Sequence, residues 1–132
     1  MSVKLYRIIL PVTDIDRAEA FYRNVLEQGG QRVSSGRHYF DLGGTILALY
    51  DPEADGDRLG EGWRHHPAQY VYISLDDLGA ALQRVKENGG TVVSEIAVRP
   101  WGEESFYWKD PFGNPVSFVK TGTEFTGTQN EQ

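Results

Sequence analysis

The chain has 132 residues, 39% of them hydrophobic and 24% charged, which suits one compact domain with a buried core and a solvated surface. Its 13 Lys and Arg against 19 Asp and Glu leave a formal charge of −6, which argues against nucleic acid as a partner, because that contact needs a cationic face to release counterions from phosphates. Cysteine is absent, so disulfides, thiolate metal sites and cysteine nucleophiles are excluded, and a cytoplasmic, reducing setting is expected.

Residues 3–12 alternate and are rich in Ile, Leu and Val, which reads as a strand. The apolar run of MSVKLYRIIL is too short for a signal segment or a membrane span, so no membrane partner is expected. Asp14 stands where an N-cap belongs, and Ile15, Ala18, Tyr22 and Val25 follow at helical spacing with Phe21 beside them. Gly29-Gly30 is the expected helix stop. Strands are expected at 31–35, 37–42 and 45–50, the last two joined by a turn at Asp41-Leu42-Gly43-Gly44. A polar, Gly-rich stretch at 51–67 reads as a linker.

The same order then returns. Residues 69–75 alternate as a strand, Asp77 caps a helix carrying Leu78, Ala81, Leu82 and Val85, and Gly89-Gly90 ends it. Strands follow at 91–98, 104–109 and 115–119, the last pair joined by Asp110-Pro111-Phe112-Gly113-Asn114. Asp14 maps onto Asp77 at an offset of 63, the glycine pairs at 60, and Asp41 onto Asp110 at 69. Three landmarks in one order indicate a duplicated βαβββ module, 3–50 and 68–120. One module of about 50 residues buries too little surface to be secure, so the two belong to a single domain, 1–120. Each sheet would have a helix-covered face and an open face, and the open faces would curve round a cleft. The tail, 121–132, is polar and unpatterned and is expected to be disordered.

This order, with DIDRAEAFYRNVL after the first strand and WKDPFGNPVSFV near the end, resembles the glyoxalase/bleomycin-resistance (vicinal oxygen chelate) family over residues 3–120. The resemblance implies an α+β fold in which two βαβββ modules form a curved, partly open mixed sheet around a central cleft. That family includes metal-dependent isomerases and lyases, ring-cleaving dioxygenases, thiol transferases and metal-free drug-sequestering proteins. In its metalloenzymes two ligands per module face the cleft, and the resemblance sets those places at Arg7, Ala48, Tyr70 and Ser117. The repeat offsets of 63 and 69 agree with that registration. None of the four is His, Glu or Asp, the donors a hard or borderline divalent cation requires. Arg7 would also repel an incoming cation. No metal and no other cofactor is therefore expected.

Strand alternation puts Arg7, Ile9, Ile46, Tyr50, Tyr70, Tyr72, Ser74, Ser117 and Val119 on the cleft side. Pro100-Trp101-Gly102 resembles a loop of drug-binding members, and Glu103 and Glu104 follow it. The expected ligand-binding set is Arg7, Ile9, Ala48, Tyr50, Tyr70, Tyr72, Trp101 and Ser117, with no catalytic residue. Three tyrosines and one arginine suit a small aromatic or amphiphilic molecule with an anionic or carbonyl group. The bland alternative is that the tyrosines only fill the cleft. The sharper alternative is an enzyme of lyase or isomerase type, with Arg7 stabilising an oxyanion and a tyrosine of strongly lowered pKa as acid or base. A metal relocated to His38, His65 or His66 is a further alternative, against which surface or satisfied histidines are the plainer reading. The resemblance also implies a homodimer, and the 17-residue linker permits either a cleft within one chain or one shared by exchange of modules.

Overall fold

In the computed structural model, which describes residues 2–58 and 66–125, the chain divides after His66 into two compact units. The first comprises β1 (Arg7–Pro11), α1 (Ile15–Leu26), β2 (Gln31–Ser34), β3 (Arg37–Leu42) and β4 (Thr45–Tyr50). Its sheet runs β1-β4-β3-β2, with β1 parallel to β4 and the other pairs antiparallel. The strand expected at 3–12 is shorter, because β4 offers no partner before Thr45. The last cross-links at that end are Ile46 N–H to the Tyr6 carbonyl at 2.8 Å and Thr45 Oγ1 to the Leu5 carbonyl at 2.9 Å.

Asp14 caps α1 by accepting from the Arg17 N–H at 3.1 Å. The stripe Ile15, Ala18, Phe21, Tyr22 and Val25 is buried, as are Leu10, Phe40, Leu47 and Leu49 on the sheet face it covers. The helix stops at Leu26 rather than at the glycine pair, with Glu27 as a left-handed cap at φ 56°. Gly30 has a different duty: at φ 64°, a Cβ there would lie 2.7 Å from both His38 Nε2 and the Tyr39 carbonyl. The Gly43-Gly44 turn has positive φ at both residues, and Asp41 accepts from the Gly44 N–H at 2.8 Å.

The expected linker is in part a packed loop. Asp51 N–H bonds the Gly36 carbonyl at 2.7 Å. Asp55 accepts from Ser34 Oγ at 2.8 Å and from Gly36 N–H at 2.5 Å, and pairs with Arg37. Residues 59–65, His65 among them, lie outside the described residues.

The second unit comprises β5 (Val71–Leu75), α2 (Leu78–Glu87), β6 (Thr91–Val92), β7 (Ala97–Val98), β8 (Glu104–Lys109) and β9 (Pro115–Lys120). Its sheet runs β5-β9-β8-β6, with β7 also on β8 and β5 parallel to β9. The strand expected at 91–98 is broken in two. The N–H groups of Val93 and Ser94 both reach the Tyr107 carbonyl, at 2.7 and 3.1 Å, which is the mark of a bulge. Asp77 caps α2 through the Ala80 N–H at 3.0 Å, and Leu78, Ala81 and Val85 are buried. The sheet face that α2 packs on buries Phe106, Trp108, Val116 and Phe118. With 10 residues against 12, α2 is two residues shorter than α1.

Asp110 organises the last turn, accepting from the N–H groups of Phe112 at 2.8 Å and Asn114 at 2.9 Å. Part of the supposed tail is fixed: Thr121 N–H bonds the Leu75 carbonyl at 2.9 Å, and Phe125 N–H bonds Glu103 at 3.2 Å. Residues 126–132 lie outside the described residues. Among the described residues no helix is long and apolar enough to cross a membrane.

Candidate functional site

In the first unit the register sets three rows across the face away from α1: Arg7, Ile46 and Asp41; Ile9, Ala48 and Tyr39; Pro11, Tyr50 and Arg37. Arg7 is exposed, its guanidinium 5.2 Å from the Tyr6 ring centroid and 5.3 Å from that of Tyr39. Its Nη1 donates to the Tyr39 hydroxyl at 2.5 Å. Ile9 keeps 44% of its surface, whereas Ala48 keeps 2%. Tyr50 is also buried, beneath the Arg37 guanidinium at 4.1 Å from its ring. Its hydroxyl donates to Asp57, and that bond, then burial, then the Asp57 charge, raise its pKa. Of the four residues expected here, Arg7 and Ile9 are accessible.

In the second unit Tyr72, Ser117 and Tyr107 form one row, and Ser74, Val119 and Ser105 the next. Tyr70 sits just before β5 and meets Tyr107 edge to face at 5.2 Å, while Tyr72 meets the same ring at 6.3 Å. Ser117 lies between its two tyrosine neighbours in that row, is fully buried, and donates to the Phe106 carbonyl at 3.3 Å. Tyr72 is 55% exposed, yet its pKa is pushed up to about 12, first by a hydrogen bond with Tyr107, then by burial of the hydroxyl and by neighbouring negative charge. Trp101 is 53% exposed, with its indole N–H on Glu103 at 2.7 Å. Glu103 is thus engaged by Trp101 and Phe125, and Glu104 lies 4.0 Å from Lys120.

Sequence reasoning missed Tyr39, Tyr107 and Arg99. Arg99 stacks on Tyr107 at 4.8 Å and donates to Ser105 Oγ at 2.9 Å, Ser94 Oγ at 3.2 Å and the Ser105 carbonyl at 3.0 Å. The two tyrosines had a legible signal: each stands directly opposite an expected site residue, Tyr39 against Ala48 and Tyr107 against Ser117. Extending the register by one strand would have found both. Arg99 lies beyond the bulge, where alternation gives no side.

The places at which the resemblance sets metal ligands do not fit a metal: Arg7 and Ala48 in one unit, Tyr70 and Ser117 in the other. Among the described residues no group of three or more His, Asp or Glu side chains is arranged to hold one. His38 is 3% exposed and lies on the helix-facing side of its sheet. Its Nε2 donates to the Gly29 carbonyl at 2.8 Å, and Nδ1 accepts from Arg32 Nε at 3.4 Å. Burial lowers its pKa, opposed by the Gly29 bond and aided in smaller measure by the Arg32 and Arg23 charges. It is a satisfied core histidine. The shifts at Tyr50 and Tyr72 run upward, away from what a tyrosine base requires.

Comparison with known proteins agrees with this architecture. A family profile described as Glyoxalase/Bleomycin resistance protein/Dioxygenase superfamily matches residues 4–118. The chain is 29% identical over 117 residues to the metallothiol transferase FosB of Shouchella clausii, spanning 85% of this chain and 75% of that protein. It is 24% identical to the lactoylglutathione lyase of Salmonella typhimurium, over 97% of this chain and all (100%) of that enzyme. Among solved structures, a glyoxalase/bleomycin resistance protein from Albidiferax ferrireducens superposes with a TM-score of 0.71 at 18% identity, covering 86% of this chain and 95% of that one.

Proposed function

Since the chain belongs to the glyoxalase/bleomycin resistance protein/dioxygenase superfamily, we propose that it binds a small aromatic or amphiphilic organic molecule, without a metal, on the open faces of its sheets. The observation that carries this reading is the loss of metal donors at all four family places beside accessible tyrosine rings. Aromatic faces offer a large apolar area with a polar edge, which suits flat ligands. The upward shift at Tyr72 takes it further from ionisation, consistent with a hydrogen-bonding hydroxyl rather than a base. A cytoplasmic homodimer completes the proposal, and light scattering in solution checks the dimer.

The test is metal analysis of the purified protein after incubation with excess Zn²⁺, Ni²⁺, Mn²⁺ and Fe²⁺ and desalting. Less than about a tenth of an equivalent is expected, where a real site would hold near-stoichiometric metal. Near-stoichiometric metal would overturn the reading. A thermal-shift screen of aromatic compounds follows, with Tyr72→Ala expected to weaken whatever binds.

A second reading, a metal-independent enzyme of lyase or isomerase type, draws on one observation: the FosB and lactoylglutathione lyase relatives carry enzyme names. In it Arg7 would stabilise an oxyanion. Conversion of a bound compound, followed by NMR, would put this reading first.

A further inference from the structure

We propose that Arg7 and Tyr39 form a binding site for the carboxylate of an organic acid on the open face of the first unit. The proposal rests on the metal-free binding reading above and names the chemistry of its ligand.

Arg7 is pre-organised. Its backbone is held in β1 beside β4, and its guanidinium lies 5.2 Å from the Tyr6 ring centroid and 5.3 Å from that of Tyr39. The side-chain entropy that an arginine ordinarily loses on binding is therefore largely spent on folding. Nη1 is directed to the Tyr39 hydroxyl, and the described residues give Nε and Nη2 no partner. The guanidinium thus keeps donors suited to the planar, two-oxygen geometry of a carboxylate.

The charge is also uncompensated, in a chain whose acids outnumber its bases. Arg32 is paired with Asp16 and Glu19, and Arg37 with Asp55 and Asp57. Arg7 has no ion pair among the described residues. Asp41, in the same cross-strand row, turns one carboxylate oxygen to the Gly44 N–H.

Tyr39 supplies a second donor. Because its oxygen accepts from Arg7, its own O–H is free to donate outward, so a ligand oxygen meets a cation and a hydroxyl proton side by side. The same two rows carry Ile46, beside Arg7, and the 44%-exposed Ile9, in line with Tyr39, an apolar floor for the organic body of the acid. A bare inorganic anion would leave that floor unused.

The test uses the whole protein, 15N-labelled, titrated with 2-naphthoate and with its neutral isostere 2-naphthamide. The naphthoate is expected to bind at least about tenfold more tightly, as befits charge-assisted bonds, and to shift the amides of residues 7–9 and 46–48. Arg7→Met should remove that preference, and Arg7→Lys should restore part of it by returning charge without the fork. Tyr39→Phe keeps the ring and should weaken naphthoate alone, by about threefold to tenfold. An unchanged melting temperature shows that each variant is folded. Equal affinity for the two probes, or an unaltered preference in Arg7→Met, would overturn the proposal. If both probes then shift only the residues around Tyr70, Tyr72 and Tyr107, the broader reading survives without the anion site. If neither probe binds, both fall. Inorganic phosphate competing as strongly as naphthoate would overturn the organic part of the claim.

Discussion

Arg7 and Tyr70 hold equivalent places in the two units, and each meets a tyrosine of the neighbouring open face: Arg7 lies 5.3 Å from the Tyr39 ring and Tyr70 lies 5.2 Å from that of Tyr107. The same scaffold position carries a cation in one copy and an aromatic ring in the other. The second unit also has an arginine on its tyrosine, but Arg99 is tied to Ser94 and Ser105 and serves the bulge. Among the described residues the Arg7 side chain makes one hydrogen bond. Duplication supplied two similar faces. One face carries a positive charge with spare donors, and the other a tyrosine surface with Arg99 stacked on Tyr107.

The largest expected effect breaks the symmetry at the loop that only the first unit possesses. Asp55→Ala removes the partner of Arg37, Ser34 Oγ and the Gly36 N–H, and is expected to cost about 2–3 kcal/mol in urea unfolding. It should also unseat the loop from Tyr50 and let a quencher reach that ring. Next, Arg99→Ala should cost about 1–2 kcal/mol, whereas Arg7→Ala should stay within about 0.5 kcal/mol of wild type. Equal losses would erase the distinction between a bracing and a free arginine.

The third prediction concerns pH. A histidine whose folded pKa is lowered is protonated first in the unfolded chain, so stability is full above pH 6.5 and falls as pH drops toward the folded value. Burial enforces this at His38, with smaller contributions from the Arg32 and Arg23 charges, and Glu19 lies 3.5 Å from the ring. The slope of melting temperature against pH on the acid side should therefore flatten in His38→Gln. The second unit has no buried histidine to match it.

The smallest effect is spectroscopic. One tyrosine, Tyr72, should ionise only at about 12, and Tyr107→Phe should return it toward 10. Its raised pKa makes its stabilising contribution complete below 10 and lost as pH rises through the folded value.

Local chemistry was legible wherever one residue does one job. Asp14 and Asp77 cap the helices as their positions suggest, and Asp41 and Asp110 close the turns. Three strands, β3, β4 and β8, fall at their expected bounds because turn residues bracket clear alternation. What was hidden depends on partners remote in sequence. Residues 3–6 have strand composition but run past the start of β4 at Thr45, which reaches them through the Tyr6 and Leu5 carbonyls, and the bulge at Val93-Ser94 exists because Tyr107 offers one carbonyl to two donors. The loop at 51–58 looks like a polar linker, yet Asp55 and Asp57 find Arg37 only once β3 has formed. For the candidate site, alternation along single strands placed Arg7 and Tyr72 on the open faces, with Tyr70 just before β5 against Tyr107. Only the pairing between strands reveals Tyr39 and Tyr107.

The buried small residues at Ala48 and Ser117 carry an evolutionary consequence. A metal donor at either place would mean putting a carboxylate or imidazole where the present residues are only 2% and 0% exposed. Each such step would overfill its surroundings by about 1–3 kcal/mol and gain no metal, because the other three places would still lack donors. A lineage that had exchanged its donors for these residues would face a valley several substitutions wide. Such an exchange would work as a ratchet, closed behind by the packing of the smaller residues.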